Sequence, residues 1–209
     1  DLLAGDLDVE RDALGDVRGA RPSALVLALA PLGPAGVAVR RERRAVARIL
    51  PDELAAAGHV VLLEVGKAAH AMARAGLEVL GPRVRGGAVH TRDGYASPLP
   101  GLGVREAGHP LPDTRSVAAA EEALEIAAAL RSDEVLLVLL SGGASALWCA
   151  PAEGLELEDK RAATEALLRC GAGIAEINAV RKHVSRIKGG KLARAAGPGR
   201  VLTLAVSAV

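Results

Sequence analysis

Two aliphatic runs, VVLLEV at 60–65 and VLLVLL at 135–140, constrain the fold of this chain more than any other feature. Each has the length of one strand, is apolar on almost every residue, and ends in small residues: Gly66 before Lys67 in the first, Ser141-Gly142-Gly143-Ala144-Ser145 in the second. A strand with no polar face is covered on both sides, as in parallel sheets whose crossovers are helices. The required helical patterns are present. AAHAMARAGLEVL follows the first run, SVAAAEEALEIAAAL precedes the second, and DKRAATEALLRCGAG comes after it. In the middle one, Val117, Ala120, Leu124, Ala127 and Ala128 share a face, which predicts a helix over 114–130. GGAVH at 86–90, GVREA at 103–107 and VLTLAV at 201–206 supply further strands. This alternation predicts an α/β fold, a three-layer α/β/α sandwich on a mostly parallel, Rossmann-like sheet.

The core must be built almost wholly from Ala, Leu and Val, because the chain has no Phe, one Trp and one Tyr among 209 residues. Its net charge of +1 provides no general field for nucleic acid or an anionic membrane, so any cationic site has to be local. The uncharged segments 22–39 and 135–152 contain Pro and Gly and do not read as membrane spans. Arg18 and Arg21 before SALVLALA imitate the front of a secretory signal, but the run is internal and no small-residue cleavage site follows it. Cys149 and Cys170 form no CxxC pair, which favours a reducing compartment, and a cytoplasmic location is expected. Residues 1–58 are the least legible; a helix carrying RRERR is expected over 43–57, and the segment is expected to pack on the same domain as 59–209.

Four loops at strand or helix ends hold the unusual residues: VGKAA, GHPLPD, SGGAS and NAVRKHVSRIKGG. Lys67 opens a helix directly after a strand and a glycine, where an ammonium can meet an anion near free helix amides; the plain alternative is a surface lysine. Ser141 to Ser145 offer successive backbone N–H groups and two hydroxyls to a phosphate, or serve only as a tight packing turn. Neither GxxxxGK[ST] nor GxGxxG is present, and the GxSxG setting of an acyl nucleophile is also missing. His109, between Gly108 and Pro110, is a candidate acid or base, or a loop histidine held by backbone groups. The segment 178–196 begins at Asn178 and gathers Arg181, Lys182, His183, Arg186, Lys188 and Lys191. Helical spacing there places Arg181 near Ser185 and Lys188, with Gly189 and Gly190 as the breaker; a solvated basic face is the alternative to a phosphate site. No His, Cys or carboxylate spacing suggests a metal cage.

Taken in order, VGKAAHAMARA, HTRDGYASP, EAGHPLPD, LSGGASALWCAPAEGLELEDK and INAVRKHVSRIKGGKLARAA resemble the class II glycerate 2-kinases, over about residues 60–209. Members of that family join an amino-terminal α/β domain to a carboxyl-terminal MOFRL domain. The resemblance implies that 59–209 is the amino-terminal domain, that the MOFRL domain lies outside this chain, and that the active site sits between the two. It implies transfer of the ATP γ-phosphoryl group to the 2-hydroxyl of D-glycerate, with Mg²⁺ carried by the nucleotide. Lys67 and Arg181 are then the expected catalytic residues, and Ser141, Gly142, Gly143, Ala144, Ser145, His109, Asn178 and Lys188 the expected substrate or phosphate contacts. ATP and D-glycerate are the expected partners; neither nucleic acid nor membrane is expected, and a homodimer is compatible.

The chain departs from the family pattern at two places. Ala144 stands where the family usually has Gly, and the extra methyl is expected to narrow the backbone approach. The last strand leads into Ser207-Ala208-Val209, whereas the family continues with Ser-Asp-Val and a further Gly-Asp. That aspartate is a natural contact for Mg²⁺ or the substrate hydroxyl, so the isolated chain is expected to have little kinase activity. Two alternatives accompany the kinase: a hydroxypyruvate reductase, against which the absent GxGxxG counts, and a non-catalytic phosphate- or nucleotide-binding module.

Overall fold

The computed structural model describes residues 58–206, Leu54 and the strand Ala24–Leu29. Six strands form one sheet in the order β1-β6-β5-β2-β3-β4, and every pairing is parallel. They are β1 (Ala24–Leu29), β2 (His59–Val65), β3 (Val84–Arg92), β4 (Gly103–Ala107), β5 (Glu134–Leu140) and β6 (Arg200–Val206). The α/β reading holds, with a sheet that is parallel throughout its described strands. The run SALVLALA supplies β1, which lies against β6. The helix expected over 43–57 and the sequence at 207–209 fall outside the described residues.

Helices cover both faces. Helix α1 (Ala69–Leu80) lies on one side, where Ala69, Met72, Ala73 and Leu80 pack with Val60, Leu62, Leu137 and Leu139. Across the sheet, α2 (Thr114–Ala128) presents Ala119, Ala120, Ala123 and Ala127, all at most 1% exposed, to Val61, Leu63, Leu136 and Val138. With so little aromatic volume available, alanines bring the α2 backbone close to the strands and fill the layer by proximity. Helix α2 starts where Asp113 caps the Ser116 N–H while the Ser116 hydroxyl accepts from the Asp113 N–H. It ends at Ala128, two residues before the periodicity suggests, because the Ala127 carbonyl accepts from both Leu130 and Gly197 as the chain turns towards β5.

The other α-helices among the described residues are α3 (Ala144–Leu147), α4 (Leu157–Arg169), α5 (Ile174–His183) and α6 (Lys191–Ala195). The basic segment therefore is not one helix: α5 stops at His183, and Ser185 and Lys188 belong to the irregular connection before α6. Capture of Ser185 by an isolated bridge to Pro151, and of the Arg186 N–H by the Ala150 carbonyl, removes the backbone groups that would continue the helix.

The chain runs β2, β3, β4 to one side and then returns to place β5 on the other side of β2. The crevice where the strand order reverses lies beyond the carboxyl ends of β2 and β5, which is where ligands bind in open α/β sheets. Both turns there depend on glycine. At Gly66, φ is 136°, and a Cβ would fall 2.1 Å from Ser141 Oγ and 2.7 Å from the Ser141 carbonyl oxygen. Gly66→Ala is accordingly expected to cost ~2 kcal/mol of stability or more, read as a lower urea midpoint, because both the backbone conformation and the space oppose it.

Candidate functional site

Pairing between β2 and β5 continues past the strands into their turns. Ser141 N–H donates to the Val65 carbonyl at 3.0 Å, Lys67 N–H to the Gly142 carbonyl at 2.8 Å, and Ala68 N–H to Ser141 Oγ at 3.1 Å. The neighbouring strand joins them: Gly66 N–H donates to the His90 carbonyl, and Thr91 Oγ1 to the Gly66 carbonyl. Gly143 then adopts φ 91° and starts α3. A Cβ on it would lie 2.9 Å from His109 Cδ2 and 3.5 Å from Lys67 Cγ, so Gly143, His109 and Lys67 meet at one point. The turn's own backbone bonds use the N–H groups of Ala144 and Ala146, not those of Gly142 and Gly143.

Cations surround this turn. Arg181, in the last turn of α5, donates to Ser145 Oγ at 2.6 Å. Lys188 Nζ donates to the carbonyls of Ser145 at 3.2 Å and Trp148 at 3.1 Å. Burial first, then Lys160 and Arg181, push the Lys188 ammonium down to about 7. Lys160 is buried against the Ala150 carbonyl and is likewise pushed down, chiefly by burial. At the other wall, Arg92 extends from the end of β3 and lies over the Tyr95 ring, 3.9 Å from its centroid. Burial, then Lys67 and Arg92, hold the His109 ring below its ordinary value, which favours neutral imidazole.

Nearby carboxylates are engaged elsewhere. Glu106 Oε1 accepts from the N–H groups of Gly94, Tyr95 and Ala96 at 2.8–3.1 Å, closing the loop after β3. Asp113 accepts from Gly108 and Ser116 N–H and from Arg115. Burial pushes its carboxyl up, but Arg115 and those amides outweigh burial and hold it below the usual carboxylate range. Arg115 also reaches Asp93, so one guanidinium ties the loop after β3 to the His109 loop. The crevice is left with a positive lining in a chain of nearly balanced charge. Among the described residues, no three His, Cys, Asp or Glu side chains group to hold a metal ion.

Of the residues singled out in the sequence, the structure brings together Lys67, His109, Gly142 and Gly143 on one side of the turn, and Ser145, Arg181 and Lys188 on the other. Ser141 serves the turn through its hydroxyl, and Ala144 packs its methyl against the α2-side core. Asn178 is exposed on α5, and no hydrogen bond ties its side chain to this group. Sequence reasoning gave no role to Arg92, His90, Trp148 or Lys160. Arg92 and His90 had a usable signal, a polar HTR directly after the apolar GGAV; the contacts of Lys160 with a carbonyl ten residues away had none.

A family model described as "Domain of unknown function (DUF4147)" matches residues 23–209. The chain belongs to that family, the amino-terminal domain of the MOFRL-type glycerate kinases. It is 44% identical over 151 residues to a D-glycerate 2-kinase of Thermotoga maritima, covering 72% of this chain and 36% of that protein. Over 148 residues it is 47% identical to a glycerate 2-kinase of Pyrococcus horikoshii, covering 70% and 33%. A putative hydroxypyruvate reductase of Agrobacterium vitis is 43% identical over 176 residues, covering 84% and 40%. The crystal structure of glycerate kinase from Thermotoga maritima superposes with a TM-score of 0.71 at 38% identity, over 82% of this chain and 42% of that one. This chain thus spans well under half the length of the relatives it matches. No described helix is long and apolar enough to cross a membrane.

The lowered Lys188 value carries a sign that can be measured. An unfolded lysine holds its proton up to about 10.5, whereas the folded one releases it near 7, so stability rises with pH across that window and is lost as pH falls through 7. Lys188→Met is expected to flatten the stability profile between these limits by up to about 1.4 kcal/mol per pH unit, read from urea unfolding at several pH values.

Proposed function

We propose that this chain carries the phosphate-binding half of a glycerate kinase site, for transfer of the ATP γ-phosphoryl group to the 2-hydroxyl of D-glycerate. The observation that carries the proposal is the convergence of Lys67, His109 and Gly143 at one face of a turn whose other face is gripped by Arg181 and Lys188, with the neighbouring carboxylates already engaged. Such a lining suits a polyanion, and kinase-named relatives cover the same segment.

In this reading the Gly142 and Gly143 amides and the Ser141 and Ser145 hydroxyls receive phosphate oxygens, while Lys67 and Arg181 stabilise charge that builds on the transferring group. The 2-hydroxyl oxygen bonds to the γ-phosphorus as the bond to ADP breaks, and the hydroxyl proton departs. His109, favoured neutral by its surroundings, is placed to take that proton. Lys188 is a conditional cation: its charge near neutral pH increases when an anion arrives, so binding takes up a proton. A magnesium ion carried by the nucleotide would neutralise the phosphate oxygens and, keeping most of its own waters, would need few protein ligands. In this reading the protein acts in the cytoplasm.

Titration calorimetry of the 209-residue chain tests the half-site. Saturable heat with Mg²⁺-ATP, retained or increased with D-glycerate and weakened about ten-fold or more in Lys67→Ala, is the expected result. Heat equal to dilution for both proteins overturns it, and NADH oxidation with hydroxypyruvate would favour the reductase reading instead.

A further inference from the structure

His90 lies on β3 with no exposed surface, and both ends of it touch the crevice. Its main-chain carbonyl accepts from Gly66 N–H, fixing the β2 turn. Its side chain reaches the other turn. Trp148 Nε1 lies 2.9 Å from His90 Nδ1, and His90 Nε2 lies 3.0 Å from Glu122 Oε2. An indole N–H only donates, so Nδ1 must carry a bare lone pair and the imidazole proton must sit on Nε2, where it donates to Glu122. Arg105 Nε donates to the same Glu122 oxygen at 2.7 Å and keeps that carboxylate charged. One tautomer of a neutral ring satisfies every group in the chain Trp148–His90–Glu122–Arg105.

Trp148 closes the end of α3, which begins at Gly143. Its N–H donates to the Ala144 carbonyl, its carbonyl accepts from Lys188, and the next residue's N–H donates to the Ser116 carbonyl on α2. With Gly143 at one end and a hydrogen-bonded indole at the other, the four-residue α3 has little freedom to rotate. We propose that His90 is a positioning residue, whose Nε2-protonated neutral ring holds Trp148 and through it the Gly143–Ser145 turn, and that a proton on Nδ1 releases this hold. The step needs no redox partner: a proton from solvent occupies the lone pair that accepted from the indole, leaving two donors facing each other.

Among the described residues, the charged groups facing the ring are Glu122 from α2 and Arg105 from β4; β2 contributes Val65, and the α3 segment contributes Trp148, neither of them titratable. Burial is the largest influence and lowers the ring, Glu122 raises it through its hydrogen bond and its charge, Arg105 lowers it, and the balance lies below the ordinary value. The folded ring is therefore mostly neutral at pH 6.5 and above, and the hold is lost as pH falls through the folded value, which lies below 6.5; the stability it contributes is present above 6.5 and lost over the same fall.

The ligand consequence rests on the phosphate reading above, but the hold can be measured without ligand. Trp148 is the sole tryptophan, so the ¹⁵N-labelled chain gives a single indole N–H resonance. The expected result is a resonance constant above pH 7 that moves as pH falls below 6.5, and that is displaced at all pH values in His90→Phe. His90→Asn, whose amide oxygen can replace Nδ1 as acceptor, should retain the wild-type position and lose the pH dependence. Trp148→Phe, which removes the indole donor and its resonance but keeps the His90 ring, serves for the affinity comparison if His90→Phe does not fold. Affinity for Mg²⁺-ATP should fall about ten-fold or more in His90→Phe or Trp148→Phe and stay within about three-fold in His90→Asn. An indole resonance indifferent to pH and to His90→Phe overturns the hold. The expected resonances with equal Mg²⁺-ATP affinity in all variants overturn the positioning role. If the wild type binds no Mg²⁺-ATP, the phosphate reading fails separately, while the resonance still decides the hold.

Discussion

Hydrogen bonds between β2 and β5 do not stop where the strands stop. Ser141 to Val65, Lys67 to Gly142 and Ala68 to Ser141 Oγ tie two glycine turns edge to edge at the reversal of strand order. Everything chemical in the domain is placed relative to this seam. A side chain at Gly66 or Gly143 would force the turns apart or drive His109 away, so the small residues there are required by proximity and not only by turn conformation. The apolar strands behind supply rigidity, because their ladder hydrogen bonds are shielded from water on both faces.

Around the seam, charge is arranged by subtraction as much as by addition. The chain has almost equal numbers of acidic and basic residues, yet Glu106 is consumed by three loop amides, Asp113 by a helix cap and Asp93 by Arg115. Each of these contacts also fixes a loop, so one set of hydrogen bonds both shapes the rim and leaves Lys67, Arg92, Arg181 and Lys188 as the field an incoming ligand meets. Main-chain carbonyls partly offset that field: Lys188 rests on two of them and Lys191 on three. Cations held by neutral dipoles stay responsive to an added anion, which cations locked into ion pairs would not be.

Much of this was legible from the order of residues. Continuous aliphatic runs ending in glycine specify buried parallel strands, and VVLLEV and VLLVLL became adjacent strands whose turns form the crevice. Lys67, His109 and SGGAS were conspicuous because each sits where a strand ends. The basic segment misled, since periodicity alone joined Arg181 to Lys188 through one helix; tertiary bonds to Pro151 and Ala150 break it at Val184, and the two cations converge on Ser145 by different routes. For His90, the HTR at the end of its strand marked a polar position but not what it does. Its partners lie 32 and 58 residues away, and a single buried histidine in an apolar strand has no local pattern that announces a tautomer.

The alanine face of α2 has a further consequence. Cores built on large side chains are weakened mainly by losing atoms, but Ala119, Ala120, Ala123 and Ala127 have almost nothing to lose. Their close contact with the sheet makes added methylenes the damaging change, since the helix would have to lift and carry with it Asp113, Ser116 and Glu122, which anchor the crevice from behind. Sequence drift in this layer is therefore hemmed in on both sides: larger residues lift the helix, and the one smaller residue, glycine, weakens it.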